Sequence, residues 1–322
     1  MPDNRIAVPH ALLNRIKGRL CFALAFSILY IDDFFVKGES LNMDLTQFKI
    51  VADSSADMLS LDNINFKSAP LKIITTNKEY VDDSALDITE MVNFLKSYKG
   101  KSSTSCPNTA DWLEAFGDSE YVFCVTITGT LSGSYNSACL AKRIYEEKHP
   151  DKKVFVLDSL STGPEISLII EKTQELVLAG KSFDEVCNEV SEYSKSTGLL
   201  FVLESMNNLA NNGRVSPLVA KMAGFLGIRL IGKASKKGDL EPLGTCRGSS
   251  KALENVVKQL KELGFKGGKI KIGHCLNEKA GVALSEQLKS IFKTAQIELY
   301  QCRGLCSFYA EKGGLLVGFE TL

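Results

Sequence analysis

The sequence predicts an α/β fold in which a parallel-sheet domain is followed by a mixed α+β domain. Three short apolar strands, Phe48–Ala52, Tyr121–Ile127 and Val154–Leu157, are each followed by a polar turn and a helical segment. That order is typical of a parallel sheet with helices on both faces. After Gly198 the pattern changes to hairpins and two amphipathic helices, which indicates a mixed α+β domain.

Local signals predict the other elements of the first domain. Ala69–Thr75 and Glu79–Val81 flank a polar turn, which predicts a hairpin. Helices are predicted where a capping residue, a proline or a glycine-rich turn precedes a periodic apolar segment. These helices cover residues 87–98, 107–116, 135–145, 165–179 and 182–195.

The second domain begins with a strand at Leu199–Leu203 and a strongly apolar helix at Val215–Leu226. Ile228–Lys233 and Leu240–Thr245 flank a Gly-Asp turn and predict a hairpin. The remaining predictions are helices over residues 250–263 and 280–291, and strands over 269–275, 297–300 and 315–319.

Composition narrows the class of protein. The chain has 322 residues with 38 basic and 38 acidic side chains, so we expect neither nucleic acid nor a charged membrane face as a partner. Cys302 and Cys306 are four apart, without a second pair or a nearby histidine that would complete a zinc site. We therefore predict no metal and expect the nine cysteines to be free thiols in the cytoplasm.

Residues 1–43 form a leader of different composition. Its apolar run Leu20–Ile31 is too short to span a membrane, and no small-residue cleavage site follows it. The leader is either an amphipathic helix packed on the body or a non-native extension before a true start at Met43, and we favour the second. The two domains are then residues 44–198 and 199–322.

A turn rich in hydroxyls and glycine, Thr128–Ser134, lies between an apolar strand and a helix. Helix N-termini carry unpaired N–H groups and a positive dipole end, so this turn predicts a site for a carboxylate or a phosphate. The alternative is that Ser132 only caps the helix. A second hydroxyl cluster, containing Thr104, precedes the next predicted helix start at Pro107. Turns after parallel strands open on one sheet edge, so Thr104 and Ser132 are expected to lie close together.

Five motifs, occurring in the same order, resemble those of the DegV family from about Phe48 to the C-terminus. Cys106 stands where the family usually has Gln, and Ser134 where it has Thr. The five matching segments are Ile50–Ser55, Thr104–Asn108, Leu131–Tyr135, Asn212–Ser216 and Cys246–Gly248.

The resemblance implies a protein that holds one long-chain fatty acid between its two domains. It would act as the acyl-binding subunit of a bacterial fatty acid kinase. A separate ATP-dependent kinase subunit would phosphorylate the presented carboxylate, so this chain would not itself be an enzyme. The implied ligand is the fatty acid, with no other cofactor and no membrane span.

The resemblance also implies a head-group site. Thr104 fits the family hydroxyl in the Thr-Ser-x-Pro turn, and His274 fits a family histidine in the second domain. The family serine falls on Thr128-Gly129, which leaves Thr128 or Thr130 to replace it, and Ser132 completes the set. Tyr309–Gly314 corresponds to the family His-Thr-Gly-Pro-Gly run, so no histidine is carried over there.

Two further groups of residues are assigned to the tail and the kinase. A long acyl chain needs an apolar slot, commonly at a domain interface. Met222, Phe225 and Leu226 in the apolar helix are the predicted tail contacts, and ordinary core packing is the alternative. Arg214 and Arg247 are candidate kinase contacts, because arginine suits phosphate and acidic partners.

Two rival functions stay open at this point. A hydrolase or transferase would use Ser132 or Thr104 as nucleophile, but no G-x-S-x-G motif is present. A phosphate- or nucleotide-binding protein would be expected to carry a P-loop or a G-x-G-x-x-G motif, and neither occurs.

Overall fold

The computed structural model describes residues 44–221 and 227–321, which contain three sheets with helices packed around them. The strands are β1 Phe48–Asp53, β2 Asn65–Ala69, β3 Lys72–Thr75, β4 Glu79–Val81, β5 Ser102–Ser105, β6 Tyr121–Thr126, β7 Lys153–Asp158, β8 Thr197–Leu203, β9 Ile228–Ala234, β10 Leu240–Arg247, β11 Lys269–His274, β12 Gln296–Gln301 and β13 Leu315–Glu320. The helices are α1 Ile88–Ser97, α2 Thr109–Phe116, α3 Ser134–Lys148, α4 Pro164–Leu178, α5 Phe183–Tyr193, α6 Asn207–Asn211, α7 Pro217–Ala220, α8 Ser249–Glu262, α9 Glu278–Ile291 and α10 Gly304–Ala310.

The predicted parallel sheet is confirmed, with four strands in the order β2-β1-β6-β7. Strand β2 was not predicted, and its last residue was assigned to the hairpin. β2 reads Asn-Phe-Lys-Ser-Ala, and only Ala69 is buried, because β2 lies at the sheet edge. An edge strand of this kind carries no apolar run that would reveal it. The hairpin itself consists of β3 and β4, and β5 joins it to make a small antiparallel sheet.

The mixed architecture of the second half is also confirmed. Its six strands run in the order β10-β9-β8-β13-β11-β12, and β11 pairs with β12 in parallel while the other pairs are antiparallel. Helix α10 was not predicted. Six of its seven residues are buried, so its sequence lacks the polar face that gives a helix its periodic signature.

Helix α4 contacts strands of both the parallel sheet and the six-stranded sheet. Ten of its residues are buried, as expected for a helix that is covered on more than one side. Gly318 in β13 permits the close contact, because a Cβ there would lie 2.5 Å from the carbonyl carbon of Pro164. The division into domains 44–198 and 199–322 remains our proposal for how the chain is organised.

Two of the predictions concern residues that the structure does not describe. The leader of residues 1–43 and the tail contacts Met222, Phe225 and Leu226 lie outside the described residues. Within the described ranges, no helix has the length and apolarity needed to cross a membrane. The eight cysteines in these ranges are free thiols.

Candidate functional site

A cavity is enclosed by the loops after β6 and β7, one face of the six-stranded sheet, the β9–β10 hairpin and α10. It contains about 790 Å³ of empty space, counted together with its open mouth. Most of the wall is apolar. The apolar lining residues are Leu71, Ile127, Leu131, Leu160, Leu199, Phe201, Leu203, Leu209, Ala234, Leu240, Leu305, Ala310 and Leu316.

Strand alternation explains much of this wall. Leu199, Phe201 and Leu203 of β8 point to the cavity. Leu200 and Val202 point to the other side, into the core beneath α8 and α9. Side chains of a strand alternate between faces, so one apolar strand lines both a cavity and a core.

The cavity wall also holds a connected polar cluster. The hydroxyl oxygens of Thr104 and Tyr309 lie 2.8 Å apart, and the Arg214 guanidinium lies 5.9 Å from the centre of the Tyr309 ring. Arg214 Nε donates to the carbonyl of Leu131, and the N–H of Leu131 donates to the carbonyl of Thr128. Burial raises the pKa of Tyr309, so its phenol is neutral and keeps its proton. Thr104 and Arg214 oppose this shift of the pKa without reversing it.

Thr104 is placed differently from the prediction. It belongs to strand β5 and pairs with Ile73 of β3, rather than lying in a turn at a helix start. The following helix, α2, begins at Thr109 and is capped by Asn108 in a capping box with Asp111. The antiparallel pairing of β5, which no local pattern shows, fixes Thr104 in the wall.

The backbone N–H groups of the Thr128–Ser132 loop donate to acceptors of the protein itself. The N–H of Gly129 donates to both carboxylate oxygens of Asp158 at 3.1 Å. The N–H groups of Leu131 and Ser132 donate to the carbonyl of Thr128 at 3.2 Å. These N–H groups are therefore not free to bind an anion.

Two hydroxyls of this loop keep a proton available for a ligand. Thr128 Oγ1 accepts from the N–H of Thr130, and Ser132 Oγ accepts from the N–H of Ser134. Neither hydroxyl donates to another described residue. Thr130 Oγ1, in contrast, donates to the carbonyl of Lys237 at 2.6 Å. Of the two candidates for the family serine, Thr128 therefore has the free donor.

Gly129, the position that the resemblance matches to a family serine, has little space for a side chain. A Cβ at this position would lie 2.9 Å from Asp158 Oδ2 and 3.3 Å from the Tyr135 ring. A serine could be accommodated only if Asp158, which bonds the Gly129 N–H, moved away. A side chain at position 129 would therefore disturb the hydrogen bond between the Gly129 N–H and Asp158.

His274 is not brought to the cavity. It ends β11 opposite Leu315 of β13, whereas the next residue of β13, Leu316, lines the cavity. Leu315 belongs to the core on the far face of the sheet, so the alternation of side chains places His274 on that face. Its Nδ1 accepts from the N–H of Asn277, and burial lowers its pKa.

The other predicted residues divide between the cavity and the surface. Thr104, Thr128, Ser132 and Arg214 line the cavity. Arg247 is an exposed residue at the end of β10 and does not line it.

Tyr309 was not predicted as a site residue. Tyr309 opens Tyr309–Gly314, the stretch that the resemblance matches to the family His-Thr-Gly-Pro-Gly run. The sequence does not show that Tyr309 contacts Thr104, because Thr104 lies 205 positions earlier in the chain.

Asp53 supports the site from beneath. Its buried carboxylate accepts from the N–H of Ile127 at 2.9 Å and from Ser134 Oγ at 2.6 Å, and it also bonds Ser55. Burial raises its pKa, while these hydrogen bonds oppose the shift. Asp53 thereby connects the end of β1 to Ile127 and Ser134, which lie on either side of the Thr128–Ser132 loop.

The fold and the cavity define an α/β protein with an amphipathic site, in which a mostly apolar wall carries a polar cluster. The chain belongs to the DegV family, described as uncharacterised proteins, which it matches over residues 47–321. This confirms the resemblance carried by the five motifs.

Three relatives show how close the similarity is. A DegV domain-containing protein of Streptococcus pneumoniae is 45% identical over 277 residues, covering 85% of this chain and 99% of the relative. A DegV family protein of Eubacterium eligens, solved with heptadecanoic acid, is 44% identical with a TM-score of 0.84, covering 85% and 100% of the two chains. The Fatty Acid Kinase (Fak) B3 protein of Streptococcus pneumoniae, solved with linoleic acid, is 45% identical with a TM-score of 0.84, covering 85% and 99%.

Proposed function

We propose that this protein binds one long-chain fatty acid in the cavity and presents its carboxylate to a separate ATP-dependent kinase, which forms the acyl phosphate. The observation that carries the proposal is the cavity itself, which joins a long apolar wall to one connected polar cluster. Two similar proteins were solved with heptadecanoic and linoleic acid. On this proposal the chain is a cytoplasmic binding subunit and not an enzyme, and the fatty acid is its ligand.

The polar cluster suits a carboxylate. Thr128 and Ser132 each have one hydroxyl proton to donate, and the Thr104–Tyr309 pair has two protons but uses only one between its oxygens. Arg214 adds a positive charge and the N–H groups that it does not use on Leu131 and Asn212. Such charge-assisted hydrogen bonds are about twice as strong as neutral ones.

The kinase would approach the surface near this cluster. Arg247 is exposed and Arg214 is half-buried at the cavity, so we propose Arg247 as a kinase contact and Arg214 as a link between carboxylate and kinase. The name of the Fak B3 protein supports a kinase partner. Because the bond to phosphate forms on the kinase, this chain only holds and orients the acid.

The rival functions have less support. A hydrolase needs a base beside its nucleophile, but among the described residues neither His149 nor His274 lines the cavity. A phosphate site of the predicted kind needs free backbone N–H groups, and those of Gly129, Leu131 and Ser132 are used internally.

The first prediction tests the head-group site. Thr104→Ala and Tyr309→Phe should each weaken binding of decanoate by about ten-fold to a hundred-fold, since the pair needs both hydroxyls to direct its remaining proton to the charged group. Binding of decanol should change much less. Titration calorimetry with both ligands measures the difference.

A matched control lies on the surface. Tyr98 and Thr76 form another pair of hydroxyls, 3.0 Å apart and exposed, which does not line the cavity. Tyr98→Phe should leave both affinities unchanged. If Thr104→Ala and Tyr309→Phe bind decanoate as the wild type does, the carboxylate is not held here and the proposed function fails.

A further inference from the structure

Two carboxylates that are distant in sequence hold the amino terminus of α10. Asp57 Oδ1 accepts the N–H of Arg303 at 2.8 Å. Asp82 accepts the N–H of Gly304 on Oδ1 and the N–H of Leu305 on Oδ2, both at 2.8 Å. These N–H groups have no partners within the helix, so the two aspartates fix where α10 begins.

Asp82 is itself held tightly. Its side chain is fully buried, and its own N–H donates to the carbonyl of Leu71 at 2.9 Å. Arg303 Nε lies 3.8 Å from Asp82 Oδ1, within the distance of an ion pair. No side chain fits between helix and carboxylate, since a Cβ on Gly304 would lie 2.7 Å from Asp82 Cγ.

The same small sheet carries both partners of the head-group pair. Thr104 lies in β5, which pairs with β3, and Asp82 directly follows β4, which pairs with the other edge of β3. Asp82 fixes α10, and α10 carries Tyr309. The small sheet and α10 are therefore joined twice, once by Asp82 at the start of the helix and once by the contact between Thr104 and Tyr309.

We propose that Asp82 is a positioning residue for the bound carboxylate, because it holds α10 in the register that keeps the Tyr309 hydroxyl against Thr104. The inference rests on the proposed function. Asp82 does not line the cavity, so it acts on the ligand only through Tyr309. Asp57 supports the same helix end through Arg303.

Asp82→Asn tests this role with little change of volume. An amide offers one acceptor oxygen, so one of the two helix N–H groups would face an NH₂ group and the start of α10 would shift. We expect decanoate affinity to fall about ten-fold, with decanol affinity nearly unchanged. Asp83→Asn is the matched control, since Asp83 is exposed and bonds only the nearby N–H of Ala85 through its carboxylate.

A double-mutant cycle distinguishes positioning from a general structural role. In a Tyr309→Phe background, Asp82→Asn should cause no further loss of decanoate affinity, because the hydroxyl that it positions is gone. An equal loss in both backgrounds, an equal loss for decanol, or no loss at all would overturn the inference.

Gly304→Ala provides a second variant if Asp82→Asn does not fold. It keeps the carboxylate but displaces the helix from it, and the same selective and non-additive loss is expected. Failure of the inference is distinguishable from failure of the proposed function. If Tyr309→Phe alone weakens decanoate and neither variant at Asp82 or Gly304 does, only the inference falls.

Discussion

At the scale of single residues, Glu165 shows how burial sets a protonation state. It lies in the first turn of α4 with 5% of its surface exposed, and desolvation raises its pKa to about 7. Thr197 Oγ1 lies 2.7 Å from Glu165 Oε1 and 3.0 Å from the carbonyl of Ser194. The Thr197 hydroxyl donates to Glu165 Oε1, and this hydrogen bond opposes the rise in the pKa of Glu165 without cancelling it.

Glu165→Gln should change how stability depends on pH. The folded pKa of about 7 exceeds the ordinary value of 4.5, so the folded protein binds this proton more tightly than the unfolded chain. The resulting stability is present below about pH 4.5 and is lost as the pH rises through 7, by about 3 kcal/mol in total. Glutamine mimics the protonated form and should remove this loss.

Urea unfolding at pH 5 and pH 8 measures the effect. The free energy of unfolding should fall less between these pH values in Glu165→Gln than in the wild type. Asp57, whose pKa burial also raises to about 7, is present in both proteins and cancels in the comparison. Glu147→Gln, at an exposed position, should behave as the wild type does. An identical pH dependence in Glu165→Gln would show that Glu165 is ionised in the folded protein.

At the scale of elements, the tip of the β9–β10 hairpin packs on the Thr128–Ser132 loop. Thr130 Oγ1 donates to the carbonyl of Lys237, and Gly238 packs directly on Thr128. Gly238 has a φ of +82°, and a Cβ there would lie 2.0 Å from Thr128 Oγ1. Both conformation and space therefore require glycine at this position. The hairpin tip forms part of the cavity wall, so we expect a displaced tip to open the cavity.

Gly238→Ala should lift the hairpin tip and speed up release of the fatty acid. We expect the dissociation rate to rise several-fold, since the clash opens one wall of the cavity. Stopped-flow displacement of a fluorescent fatty acid measures this rate.

Gly264→Ala separates the cost of a positive φ from the clash. Gly264 has a φ of +92°, a Cβ added there would meet nothing within 4 Å, and the residue does not line the cavity. This control should lower stability without changing the dissociation rate. An unchanged rate in Gly238→Ala would mean that the hairpin tip does not limit release.

At the scale of the whole molecule, the cavity draws its wall from both halves of the chain. Its described lining residues lie between Leu71 and Leu316. A bound ligand stabilises the folded state by RT ln(1+[L]/Kd), which is about 2.7 kcal/mol at a hundred-fold excess over Kd. Fatty acid should therefore raise the melting temperature of the whole fold.

A protein that begins at Met43 should fold and bind fatty acid as the full chain does. Oleate should raise the melting temperature of both proteins by the same amount, as measured by differential scanning calorimetry. The full-length protein is the control. A loss of solubility or of the oleate effect on truncation would reject the interpretation of residues 1–43 as a dispensable leader.

The sequence by itself determined what depends on neighbours along the chain. The strand–turn–helix order predicted the parallel sheet, and the capping box of Ser182 and Glu185 fixed the start of α5. The hydroxyl positions Thr104, Thr128 and Ser132, which were predicted from their motifs, all lie in the cavity wall. Such signals are local, because helix caps and strand periodicity act over a few residues.

The tertiary structure decided which side chains meet. Thr104 contacts Tyr309 rather than His274, because His274 lies on the face of the six-stranded sheet that is turned away from the cavity. A strand's sequence shows that its faces alternate, but which face meets a cavity depends on the layers packed against it. Two other contacts also join segments that are far apart in the chain: Asp158 accepts the N–H of Gly129, and Asp82 accepts the N–H of Gly304 at the start of α10. No local sequence pattern encodes such contacts.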